Sequence, residues 1–520
     1  MTLNIRIWAV AGIMALAGQA SAQQVPQAAA AGAAAAAAET AEPDLATGQA
    51  MILLDYQQLA VPGAADLDLM GFHILNRMTP WLHVGVGGFA PLFQGEYGGF
   101  MAFDVSAHAQ RRLWGPWFAQ AGLSVGGGGG GKSIQQSKVL SGTGGFTKAY
   151  LGLGHEFQDF SVGANVAHLR FRQSAIDSTQ LNLFVQVPFG YTIGRYDRAG
   201  SRLSADDAGP LFDSAGENTL TLGLDNYFQI DPQGANKGTI RAADLQFAHY
   251  FRPDTYWYAS LGVGYQGLPL YNQLIGGIGQ RLALTDKLRL HAQLGLGSGG
   301  YAPETIETGP GWLVYPKLSA EYLLTRQFGL ALSAGYLAAP GGTAKSYTLG
   351  LALNYRIQSG ERPDASQLAA GLPARGHRFH LFQQTEMNVR YKGRQRDNLN
   401  LLTVQFDSLL GEHLYLPVQA GVAYNAYLGY PGYGEILAGL GVQSRHAPER
   451  RWQFFGQALA GTNVHGPLVK AGLGVNLGLS DRTALFATLG KTIAPRASDG
   501  KFSADHVGLG ITHRFSVPSW

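Results

Sequence analysis

Three short patterns in this chain carry residue types that could do chemistry. Gly126 to Ser133 reads GGGGGGKS and satisfies the phosphate-loop pattern, with Lys132 and Ser133 where a phosphate and its magnesium ion would be met. That chemistry needs a helix whose first amides face the phosphate, and the following IQQSKVLSGTGG has no apolar helical stripe. Six consecutive glycines match the pattern at almost any offset, so a flexible surface loop is expected. Gly122-Leu123-Ser124-Val125-Gly126 has the spacing of a nucleophile elbow, which requires a strand turning sharply into a helix. Ser124 lies instead inside a run of period 2, and a structural serine is expected. His377 and His380 form H-x-x-H, but neighbouring acidic or further histidine ligands are not evident. No catalytic residue, metal or cofactor is therefore expected, and the chain is not expected to be an enzyme.

Polar residues that alternate with aliphatic ones are better candidates. Arg289, His291 and Gln293 share one row, Lys317 and Glu321 another, and Arg378 and Arg390 a third. On the inner face of a barrel such groups line a pore, where charge sets solute preference at close quarters. Ordinary inward salt bridges are the equal alternative.

What must position these rows is a set of short strands. From Met51 onward the apolar residues alternate with small or polar ones, as in WLHVGVGGF (81–89), AYLGLGHEF (149–157), LRLHAQLGLG (288–297) and VGLGITHRF (507–515). This is the strand signal, and the glycines argue against helix, each costing about 1 kcal/mol there relative to Ala. Glycine totals 72 of 520 residues, about twice the roughly 7% average, while charged residues are 14% and aromatics 11%. Lipid-facing strands with aromatic girdles have that composition. Cysteine is absent, which removes disulfides and thiolate sites, and a formal net charge of +3 gives no reason to expect nucleic acid.

The segments recur in order. Asp66-Leu67-Asp68-Leu69 returns as Asp244-Leu245-Gln246-Phe247 and Asn398-Leu399-Asn400-Leu401, and Ala119-Gln120-Ala121-Gly122-Leu123 returns as Ala292-Gln293-Leu294-Gly295-Leu296. A unit of eight strands taken three times is expected, about 24 in all. In the second unit the strands should start near Thr219, Thr239, Tyr256, Tyr271, Leu288, Trp312, Phe328 and Ser346. Two architectures fit this count. Eight strands make a barrel that side chains can fill, and more than 16 leave a channel. Rows of glycine opposite the leucines, such as Gly152 and Gly154, would leave voids in a narrow barrel, so one large barrel is favoured over three tandem small ones.

Near the start, one basic residue, an apolar run and Ala20-Ser21-Ala22 have the order of a secretory signal peptide. The expected organisation is a signal peptide at 1–22, an Ala-rich periplasmic linker at 23–47, and barrel units at 48–194, 218–357 and 378–520. Segments 195–217 and 358–377 join the units as tethers or plugs.

In the last strand Val507, Leu509, Ile511 and Phe515 share one face, and the chain stops at Trp520. This resembles the amphipathic strand, closing on an aromatic residue, with which bacterial outer-membrane β-barrel proteins present themselves to the barrel-insertion machinery. The resemblance implies an all-β transmembrane antiparallel barrel in the outer membrane, with outer-membrane lipid and lipopolysaccharide around it. The expected function is a channel for passive solute diffusion or for export of a polymer, with a secretion or polysaccharide-synthesis system as a further partner. The alternative is a non-conducting structural or surface-binding protein that displays its long loops.

Overall fold

The computed structural model describes residues 45–203, 216–358, 364–445, 451–494 and 501–518. The expected signal peptide, nearly all of the Ala-rich linker, and Trp520 lie outside the described residues.

Period-2 alternation becomes strand wherever it is described. In the second unit the strands begin at Asn218, Ile240, Thr255, Asn272, Leu288, Trp312, Phe328 and Lys345, each within one residue of its expected start. The 26 strands among the described residues include two of only two residues, Arg202–Leu203 and Arg394–Gln395. The long ones are antiparallel neighbours in chain order. Helix is confined to short pieces, chiefly Ile134–Ser141 and Ala365–Ala370.

Closure is where expectation and structure part. The first strand of the first unit, Leu45–Leu59, pairs with the second, Leu67–Arg77, and also with the eighth, Asp177–Gly194. In the second unit Asn218–Gln229 pairs with both Ile240–Tyr250 and Lys345–Gln358. In the third, Leu372–Tyr391 pairs with Leu399–Leu409 and with the final strand Phe502–Pro518. Each unit thus closes on itself, and the chain is three eight-stranded barrels in tandem instead of the single large barrel favoured above.

The reason lies in what covers the glycines. Gly154 sits directly opposite Phe118, Gly279 opposite Tyr256, Gly441 opposite Tyr415 and Gly474 opposite Phe455. In each pair the aromatic ring lies over the glycine, in the space that a Cβ would occupy. At these four positions the ring takes up the space beside the glycine, which lets a narrow barrel carry glycine on its inner face.

Segment boundaries shift accordingly. Strand begins at Leu45, inside the expected linker, and the third barrel begins at Leu372, inside the expected tether. The described part of the first tether packs against another barrel. The backbone amides of Tyr196 and Asp197 donate to the Asp481 carboxylate at 2.9 Å, and Tyr196 packs with Phe382, Tyr415 and Phe486 of the third barrel.

The outward rows are aliphatic and bare. Leu151, Leu181, Leu318, Leu332, Leu473 and Leu489 are each more than 60% exposed, far more apolar surface than a water-soluble wall presents. The long strands have 10 to 20 residues, enough to cross a bilayer when tilted.

Candidate functional site

The inward rows carry the polar residues singled out above. In the second barrel Glu321, on Trp312–Leu323, accepts from Arg356 Nη2 at 2.6 Å and from Asn354 Nδ2 at 2.9 Å, with His291 Nε2 at 3.3 Å. Nearer the short-turn end Arg281 donates to Glu217 at 2.8 Å. Gln293 donates to Gln246 at 3.2 Å. Lys317 Nζ lies 5.4 Å from the Tyr315 ring centroid, and Arg289 faces the same interior, half-buried. In the third barrel Arg378 Nη2 meets Asp407 Oδ2 at 2.7 Å, His380 meets the same oxygen at 2.8 Å, and Lys470 bonds Glu435. In the first, Lys148 bonds Asp55 and His73 meets Asp104 at 3.1 Å. Burying charges this deeply is tolerated only when they are paired and hydrogen-bonded. Among the residues expected to line a pore, Glu321 is engaged with His291 and Arg356, Gln293 with Gln246, and Arg378 with Asp407.

Arg390 departs from its row. A bulge between Met387 and Arg390, with Asn388 at φ 51°, inserts an extra residue in the strand and exchanges its faces. Val389 and Tyr391 turn inward and Arg390 is exposed. The other expected pore residues point inward. Val507 and Leu509 are exposed on the outer face of the last strand, with Ile511 and Phe515 half-buried on the same face.

The three chemical patterns dissolve in the fold. His377 and His380 face opposite sides of the wall: His380 is inside on Asp407, and His377 is outside, stacked on Phe406 and Phe515 with ring centroids at 5.4 and 5.6 Å. No cluster of three metal-ligating side chains occurs among the described residues. Ser124 is buried in its strand and bonds Ser106 at 2.7 Å, while Ser106 and His73 both address Asp104. Another hydroxyl, not an imidazole, holds Ser124, which is the wrong partner for a nucleophile. A helix, Ile134–Ser141, does follow the glycine run, contrary to expectation. The glycines are nevertheless committed to packing, because Gly127 lies against the Ala423 backbone of the third barrel and Lys132 sits 4.5 Å over the Tyr97 ring.

What the sequence did not reveal is the place where the barrels meet. Each turns its second to fourth strands toward a common axis. At the long-loop end the Gly98 amide donates to Gly309 at 3.1 Å, Trp312 to Leu92 at 3.2 Å, and Thr462 Oγ1 to Gly264 at 3.3 Å. At the short-turn end Phe189 packs on His249 and Trp257 with centroids at 5.0 and 5.6 Å, Tyr355 bonds Ser408 at 2.5 Å, and Gly194 bridges Ser516. Between these ends lies a cavity of about 330 Å³ with walls from all three barrels, among them Ile74, Phe103, Leu261, Val404 and Ala420. A faint signal existed: past Leu416, the outward row of the third strand of the third barrel is Val418, Ala420 and Val422, where many lipid-facing positions elsewhere carry leucine.

No family model matches the chain, and no curated protein matches it. Among solved structures it is similar to a variant of the ferric enterobactin receptor of Pseudomonas aeruginosa, at 10% identity and TM-score 0.29, over 91% of this chain and 81% of that one. A bacterial polysaccharide outer membrane secretin matches at 9% identity and TM-score 0.24, over 90% and 98%. The outer membrane protein Ail of Yersinia pestis matches at 14% identity and TM-score 0.20, over 27% of this chain and 99% of that one. Likenesses this remote carry no functional assignment.

Proposed function

We propose that this chain is a non-conducting outer-membrane protein, a plate of three fused barrels that presents its long loops at the cell surface. The observation that carries the reading is the buried pairing of Glu321 with Arg356, and of Asp407 with Arg378, where open channels would need free charge. Bare leucine rows around closed barrels support the membrane location, since a closed barrel leaves no backbone edge unsatisfied in lipid. The surrounding lipid and lipopolysaccharide and the barrel-insertion machinery are the partners this reading proposes, and no enzymatic role is part of it. Planar-bilayer recording of the purified full chain tests it. The expected trace has no nanosiemens steps, and reproducible steps of that size would restore the channel for solutes or polymer.

A further inference from the structure

The side chains around the junction cavity stay half-buried although protein surrounds them: Ile74, Phe103, Ala259, Leu261, Val404 and Ala420 all retain free surface. The cavity is apolar, and its few polar wall groups are engaged with the protein, save the buried Asn272 Oδ1. Asp104 serves His73 and Ser106, Glu435 serves Lys470 and Gln419, and Asn272 donates to Gly99. Water needs two to four polar contacts to settle in such a space, and an apolar cavity of roughly 150 Å³ stays dry and takes up benzene. At about 330 Å³ the junction has room for roughly twice that much hydrocarbon. An empty apolar volume destabilises in proportion to its size, and in a bilayer acyl chains are the solvent at hand.

We propose that the junction holds one acyl chain of a zwitterionic phospholipid, gripped by three barrels at once. The inference rests on the membrane location proposed above. No lysine or arginine is among the described residues lining the cavity, so a polyphosphorylated head such as that of lipopolysaccharide finds no counter-charge there. The chain enters and the head stays outside.

Native mass spectrometry of the full chain, taken from phosphatidylethanolamine vesicles into a mild detergent, tests this. One retained phospholipid is expected. The cavity-filling pair Ala259→Phe with Ala420→Phe should lower the retained fraction at least tenfold, and Leu151→Phe on the outer belt should leave it unchanged. If the first pair does not fold, as judged by heat-modifiable gel mobility, Val263→Leu with Val404→Leu fills less and serves the same purpose. No adduct, an adduct that survives filling, or retention of lipopolysaccharide instead overturns the proposal. A chain that folds and stays soluble without detergent would instead overturn the membrane location itself.

Discussion

Phe118 lies over Gly154 on the neighbouring strand of the first barrel, occupying the volume that any side chain at Gly154 would need. Glycine and ring act as one unit. Phe118→Ala removes the ring and leaves the glycine groove empty, and should cost about 3–5 kcal/mol. Gly154→Val should cost at least as much by driving its Cβ into the ring. Urea unfolding from lipid vesicles, followed by tryptophan fluorescence, reads both.

Asp407 holds Arg378 and His380 inside the third barrel. Asp407→Ala strands a buried guanidinium, and a loss of about 3–5 kcal/mol is expected. Replacing both partners, Arg378→Met with Asp407→Leu, should recover most of that loss. A double variant as unstable as the single one would contradict the pairing.

The bulge before Arg390 can be probed chemically, because the chain has no cysteine of its own. In micelles Arg390→Cys should react with a polyethylene-glycol maleimide within minutes. Arg378→Cys should stay unmodified until the protein is denatured. Equal protection at both positions would place Arg390 back on the inner face.

The junction of the first and third barrels depends on Gly127 lying against the Ala423 backbone. Gly127→Val should separate the two barrels without unfolding either. Nitroxides on Val139→Cys and Tyr430→Cys, both exposed, should report a longer and broader distance distribution in that variant. An unchanged distribution would mean that the close approach is dispensable.

Strand positions were legible in the sequence because alternation is local: two neighbouring residues suffice to show which side faces lipid. Barrel number was not, since it depends on whether something fills the space beside Gly154 or Gly279, and the rings that do so lie on the preceding strand. The inward polar row was legible in the same way, but the partner that each group takes was not, because Glu321 and Arg356 are 35 residues apart and only closure brings them together. Arg390 was misplaced by one inserted residue, which parity arguments cannot detect. The junction was hidden for a different reason. Outward rows that face a second barrel and outward rows that face lipid satisfy the same hydrophobic requirement, and only slightly smaller side chains mark the difference.

Three barrels joined in one chain also differ from three identical subunits around an axis. A homotrimer repeats one interface, so a single substitution is felt three times and must suit both sides of the same contact. Here the seams are chemically unlike: Gly98 on Gly309, Gly264 on Thr462, Gly127 on Ala423. Mutation can therefore retune one seam while leaving the other two untouched, and each barrel's exposed loops are free to diverge at their own pace.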